Sequence, residues 1–224
     1  MPVSRQSMRR LSDGLPAAAS CDTITDMTAR TRLFAALVAL LTLAALGLQF
    51  VVTAQENPTY TPPETLWRLA RYFTILTNAL VAGTFLWMAV RGRMAGPAWL
   101  GGLTLWIAIV GVVYHLLLAK PLAGLDAIAD FGLHTLTPVL VVLFWLLAAP
   151  KHGLRFRTAL AWMLWPLAYV GYALLRGQLE GIYPYFFVDP TEIGWIGVAR
   201  WSGILCVGFV TAGSMQVGVA RLLR

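Results

Sequence analysis

Residues 33–54 read LFAALVALLTLAALGLQFVVTA, twenty-two consecutive positions without a single charge. Coiled as an α-helix at about 1.5 Å per residue, this run is about 33 Å long, the thickness of a bilayer's hydrocarbon core. Five further runs of the same character follow, near residues 67–90, 98–119, 128–149, 158–176 and 195–219. They are separated by turn chemistry mixed with charge: Glu56-Asn57-Pro58 to Pro62-Pro63-Glu64, Arg91-Gly92-Arg93, Lys120-Pro121, Pro150-Lys151-His152-Gly153, and the longer Gly177–Gly194 stretch. The fold class expected is all-α, a polytopic bundle of six transmembrane helices over 33–220, with a disordered cytoplasmic tail before it (1–32) and a short one after it (221–224). A transmembrane β-barrel is excluded, because the runs are continuously apolar and do not alternate.

Composition agrees. Of 224 residues, 58% are hydrophobic and 12% charged, more apolar surface than one soluble domain of that length can hide. The net charge of +7 invites a nucleic-acid reading, but no basic and aromatic groove motif is present. Basic residues flanking apolar spans instead face a membrane surface, so membrane lipids are the expected partners and nucleic acid is not. With the N-terminus inside, twelve of the seventeen basic residues fall on the inner side and seven of the ten acids on the outer side. The positive-inside rule therefore places both termini in the cytoplasm. Cys21 lies in the polar tail and Cys206 in the last span, so no disulfide is expected, and no Cys or His spacing of a metal site occurs.

Ionisable groups inside a span are costly and call for a partner or a function. In the second span Arg71, Thr74 and Asn78 follow at i, i+3 and i+7, one helical face. In the fourth, Asp126, Asp130, His134 and Thr137 follow at i, i+4, i+8 and i+11, and the third contributes Tyr114 and His115. Counted from the outer ends of their spans at 1.5 Å per residue, Thr74, His115 and His134 lie at similar depth in the outer leaflet, about 6–10 Å down. A threonine hydroxyl near an imidazole forms a minimal acyl-transfer pair, the imidazole taking the proton that makes the hydroxyl nucleophilic. Each residue also has a plainer reading: Thr74 bonding a carbonyl one turn back, His115 and His134 bonding between helices, Arg71 and Arg176 reaching for headgroups. Tyr183-Pro184-Tyr185 and most of the nine tryptophans are expected in turns and interfacial belts.

Three stretches carry a resemblance: Arg71-Tyr72-Phe73-Thr74-Ile75, Asp130-Phe131-Gly132-Leu133-His134-Thr135 and Gly181-Ile182-Tyr183-Pro184-Tyr185-Phe186. Over about residues 66–200 the chain resembles the androgen-induced membrane hydrolase family, as a bacterial six-pass relative. The resemblance implies a multi-pass threonine hydrolase of the inner membrane that cleaves fatty acid esters of hydroxy fatty acids, without a cofactor. Thr74 would then be the nucleophile and His134 the base. Around them, Asp130 is expected to orient His134, Asn78 or Tyr114 to donate to the oxyanion with His115 nearby, and Arg71 or Arg176 to hold a substrate carboxylate. Two other classes compete: a lipid-binding or scaffold protein whose polar cluster pins helices together, and an electron-transfer bundle with haem between His115 and His134.

Overall fold

The structure is a computed structural model that describes residues 26–223. The disordered tail and Cys21 expected from the sequence lie outside the described residues up to position 25. The chain runs as α1 (Ala29–Glu56), α2 (Pro62–Leu69), α3 (Phe73–Arg91), α4 (Pro97–Val113), α5 (Gly124–Phe131), α6 (Thr137–Leu147), α7 (Phe156–Ala161), α8 (Leu164–Glu180) and α9 (Pro190–Leu222). Two π-helical turns, Tyr114–Leu118 and Gly132–Leu136, extend α4 and join α5 to α6. Six helical stretches are long and apolar enough to cross a membrane: Ala29–Glu56, Phe73–Arg91, Pro97–Leu118, Gly124–Leu147, Phe156–Glu180 and Pro190–Leu222. The protein is an integral multi-pass membrane bundle.

Helix α1 begins four residues before the expected span. Thr28 caps it by accepting from the Thr31 amide, and Met27 donates its amide to the Gly92 carbonyl at the inner end of α3. Arg32 covers the same helix end, donating to the carbonyls of Ala89 and Val90 at 2.6 and 3.2 Å. Carbonyls at a helix C-terminus attract a cation, and here the cation comes from the neighbouring helix. Gly92 itself closes α3 at φ 66°, a left-handed cap that a side chain disfavours.

The second expected span is not one helix. Helix α2 stops at Leu69, Tyr72 is extended (φ −94°, ψ 133°), and α3 starts at Phe73. A break of this kind strands backbone carbonyls, and hydrocarbon offers them no donor. Two phenols of α8 fill the gap: Tyr169 donates to the Arg71 carbonyl at 2.8 Å and Tyr172 to that of Ala70 at 3.1 Å. The break also puts Arg71 off the helical face it was expected to share with Thr74 and Asn78.

The helices pack through small residues and aromatic wedges. Ala35, Val38 and Ala39 of α1 are fully buried, within reach of Phe85 and Met88 of α3, and Phe144 of α6 meets Phe34 and Phe85 edge-on. Trp106, Trp145 and Trp162 are core residues, not belt residues. Trp162 lies in a notch made by Gly101 and Gly102 and donates to the Ala98 carbonyl, while Trp106 donates to the Trp162 carbonyl. Trp67, Trp87, Trp99 and Trp195 are exposed, four of the nine, so most of the tryptophans are at least partly packed inside the bundle and not on its surface as expected.

Gly132 shows how close the approach is: a Cβ there would lie 2.6 Å from the Ala45 Cβ of α1, a group with no rotamer to move. Gly132→Ala is expected to destabilise the bundle by about 1–3 kcal/mol. Gly83 meets nothing within 4 Å, so Gly83→Ala is expected to leave the Tm unchanged or raise it through helix propensity. Thermal unfolding of the two variants in one detergent checks both.

Candidate functional site

Pro138 shapes the first half of the site. It has no amide proton, and its ring crowds the carbonyl four residues earlier, that of His134. The chain widens into a π-turn there, with the Thr137 amide bonding back to the Gly132 carbonyl. The Leu133 carbonyl then loses both regular partners: Thr137 is bonded one residue earlier, and Pro138, next in the π pattern, has no proton. Asn78 of α3 supplies the donor. Its amide nitrogen bonds the Leu133 carbonyl at 3.3 Å and the Thr74 carbonyl at 2.9 Å.

Asn78 is fully buried, and its donors are committed to two carbonyls, so it is not the oxyanion donor expected from the sequence. Its free atom is an acceptor: Oδ1 is buried without a hydrogen-bond partner.

The two π-turns face each other. The Tyr114 ring stacks on His134 with centroids 3.8 Å apart and planes 14° from parallel, and His115 Nε2 lies 3.0 Å from the Thr135 hydroxyl. His134 Nδ1 is 3.0 Å from Asp130 Oδ1 and 3.1 Å from the Asp130 carbonyl. Both partners are acceptors, so Nδ1 carries the proton and Nε2 is left as the basic nitrogen. The Tyr114 phenol also reaches the Asp130 carboxylate, so it too is engaged. Asp130 is thus the partner of the His134 Nδ1 proton.

The polar stripe read along the fourth span divides at the π-turn. His134 meets Tyr114, whereas Thr137 turns to α1 and lies 3.2 Å from Thr42. The two histidines are tied to separate partners, Asp130 and Thr135, and both rings lie against Tyr114.

Thr74 belongs to the other half. It stands in the first turn of α3, higher than a span starting at Trp67 had implied, and is 9% exposed. The Tyr185 hydroxyl sits against the Thr74 hydroxyl and the amides of Phe73 and Thr74, closing a helix start that has no side-chain cap of its own. Burial pushes the Tyr185 phenol above its ordinary pKa, so it is a neutral hydroxyl at this positive helix end. Tyr185 was expected in a turn, and it is; the turn folds back over the bundle.

Beneath Thr74 and Tyr185 lies a cavity of about 100 Å³ with an almost wholly apolar lining. Ile109, Val113 and Tyr114, Pro166 and Tyr169, and Cys206 and Phe209 form its walls, from α4, α8 and α9. Thr74 and Tyr114 both line it; His134, Asp130 and Asn78 do not. Among the described residues no hydrogen bond joins Thr74 to His134. Tyr114 is the element common to the two halves, with one face on His134 and the other side on the cavity.

The two arginines lie at the outer end and hold a carboxylate of the chain itself. Arg71 Nη2 is 2.7 Å and Arg176 Nε 2.8 Å from the two oxygens of Glu180, which also accepts from Trp67 Nε1. Arg176 lies over the Trp67 ring at 4.0 Å and bonds its carbonyl. Sequence reasoning missed Glu180, Tyr169 and Tyr185, although Arg176 and Glu180 are spaced i, i+4, the one signal that pointed there.

Substituting Asn78 tests this arrangement. Asn78→Ala removes the donor from the Leu133 carbonyl and is expected to cost about 1–3 kcal/mol. Asn78→Asp puts an acceptor against two carbonyls and is expected to cost more than alanine at neutral pH, read as Tm in detergent; equal costs would mean that the amide does not donate as described. In comparisons with known proteins, the chain matches no family model, no curated protein and no solved structure, so its function is read from this geometry.

Proposed function

We propose that the protein takes an acyl-chain ester from the outer leaflet into the cavity and hydrolyses it at Thr74. One observation carries the reading: a buried threonine hydroxyl stands at the polar end of an apolar cavity, at the N-terminus of a membrane helix. The Thr74 oxygen attacks the ester carbonyl carbon, its proton passes to His134 Nε2, and the alkoxide leaves with that proton. Water then attacks the acyl-threonine, releasing the fatty acid and restoring the hydroxyl.

The amides of Phe73 and Thr74 replace Asn78 as donors to the oxyanion, since a helix start concentrates unpaired N–H groups and positive potential. Tyr185 occupies that place in the structure and withdraws when the ester carbonyl enters. The step also requires Thr74 and His134 to close on each other as substrate binds, the two being parts of halves that meet at Tyr114; catalytic contacts tighten in this way in many enzymes. The resemblance to the androgen-induced membrane hydrolase family supports the assignment of Thr74 and His134, and a bacterial inner membrane is the setting that fits it.

A second reading is a lipid-binding protein without turnover. It is favoured by the engagement of Thr74 with Tyr185 and of His134 with Asp130 and Tyr114.

Purified wild type, Thr74→Ala and His134→Ala are compared on a fatty acid ester of a hydroxy fatty acid and with a fluorophosphonate probe. The hydrolase reading expects a fall in kcat/KM of about 10²-fold or more in each variant, and a label on Thr74 of the wild type. Unchanged turnover in both variants, or a wild type that neither turns over nor labels, leaves the binding reading.

A further inference from the structure

Four arginines meet where α1 begins and α3 ends. Arg30 and Arg32 stand in the first turn of α1, Arg91 in the last turn of α3 and Arg93 two residues further on. The Met27 amide on the Gly92 carbonyl and the backbone bridge between Asp26 and Arg93 stitch the two ends together. Residues distant in sequence are thereby fixed side by side, on the face that the charge count assigns to the cytoplasm. We propose that these arginines hold the phosphate of an anionic phospholipid of the inner leaflet. The proposal is independent of the cavity and of the role of Thr74.

The charge here is not balanced by the chain. All four arginines are exposed, and Arg30, Arg91 and Arg93 enter no ion pair or side-chain hydrogen bond among the described residues. Arg32 is partly spent. Its Nε and Nη2 go to the Ala89 and Val90 carbonyls, while Nη1 lies 3.7 Å from where a Cβ on Gly92 would stand. Gly92 separates Arg91 from Arg93 in the chain, so Arg32 brings a third guanidinium to the same place. Among the described residues Asp26 is the one acid on this side of the bundle, and four arginines against it leave a net +3. At the outer end the excess is treated differently: Arg71 and Arg176 share the Glu180 carboxylate. An anion among the inner arginines would relieve the same repulsion.

The neighbouring residues select a lipid over a soluble anion. Leu33 follows Arg32 and Val90 precedes Arg91, and they are 73% and 65% exposed. Leu37 and Leu86, one turn deeper on the two helices, are exposed as well. Apolar surface therefore begins directly beneath the cations on both helices, at the level where a phospholipid's phosphate gives way to its acyl chains. Guanidinium groups pair with phosphate oxygens through parallel N–H bonds, which supplies the polar contact. A lipid of net negative charge gains from the excess of +3, whereas a zwitterionic headgroup brings its own cation into it.

Native mass spectrometry of the full chain in dodecyl maltoside, titrated with dioleoylphosphatidylglycerol or dioleoylphosphatidylcholine, tests the proposal. The wild type is expected to retain one phosphatidylglycerol per chain, about thirtyfold more tightly than phosphatidylcholine. Arg91→Gln/Arg93→Gln is expected to remove that preference. Arg157→Gln/Arg221→Gln, which takes the same charge from two other exposed positions on the inner side, is expected to leave it unchanged. Should the first double variant not fold, Arg30→Gln replaces it, with about fivefold weakening expected. Equal weakening in the two double variants would mean diffuse attraction to a basic surface and overturns the site. A wild type without preference for phosphatidylglycerol overturns it too, and inorganic phosphate that binds as tightly as the lipid overturns the assignment to a phospholipid.

Discussion

Hydrocarbon cannot hydrogen-bond, and that single property governs where this chain is regular and where it is not. Every departure from the α-helix within the bundle has to bring its own donors and acceptors, because no solvent supplies them. The break at residues 70–72 is matched by Tyr169 and Tyr172, and the helix start behind it by Tyr185. The carbonyl released at Leu133 is matched by Asn78. In each case the satisfying group comes from another segment, so local irregularity and tertiary packing are one arrangement.

This explains why the candidate site lies where it does. A hydroxyl such as Thr74 inside an unbroken helix tends to spend itself on the carbonyl one turn back. The broken span puts Thr74 at a helix start, where unpaired amides replace that carbonyl and the neighbouring group is a phenol from a loop. The same economy of polar groups fixes His134. Its Nδ1 proton has two acceptors on Asp130, which leaves the other nitrogen basic and the ring held flat against Tyr114.

The fold was legible because its governing pattern, six charge-poor runs of membrane length, is linear in the sequence. So was the pairing of Asp130 with His134, a contact four residues apart that survives the π-turn. What could not be read was anything set by a break in periodicity. Extending the span from Trp67 through Arg71 ignored that phenols on α8 make a break there tolerable, and it placed Thr74 too deep. Treating 126, 130, 134 and 137 as one stripe overlooked Pro138, whose missing proton and bulky ring are visible in the sequence but whose remedy, the amide of Asn78, is distant. Glu180 was passed over because it ends a span and looks like loop charge; only the fold shows two arginines converging on it.

Each π-turn holds one residue more per turn than the α-helix around it. Tyr114 and His134, whose rings stack, stand one in each of these turns. Removing one residue from either turn would rotate the helix beyond it by about 100°, so the stacked pair stands on the length of the two helices as much as on the identity of its residues.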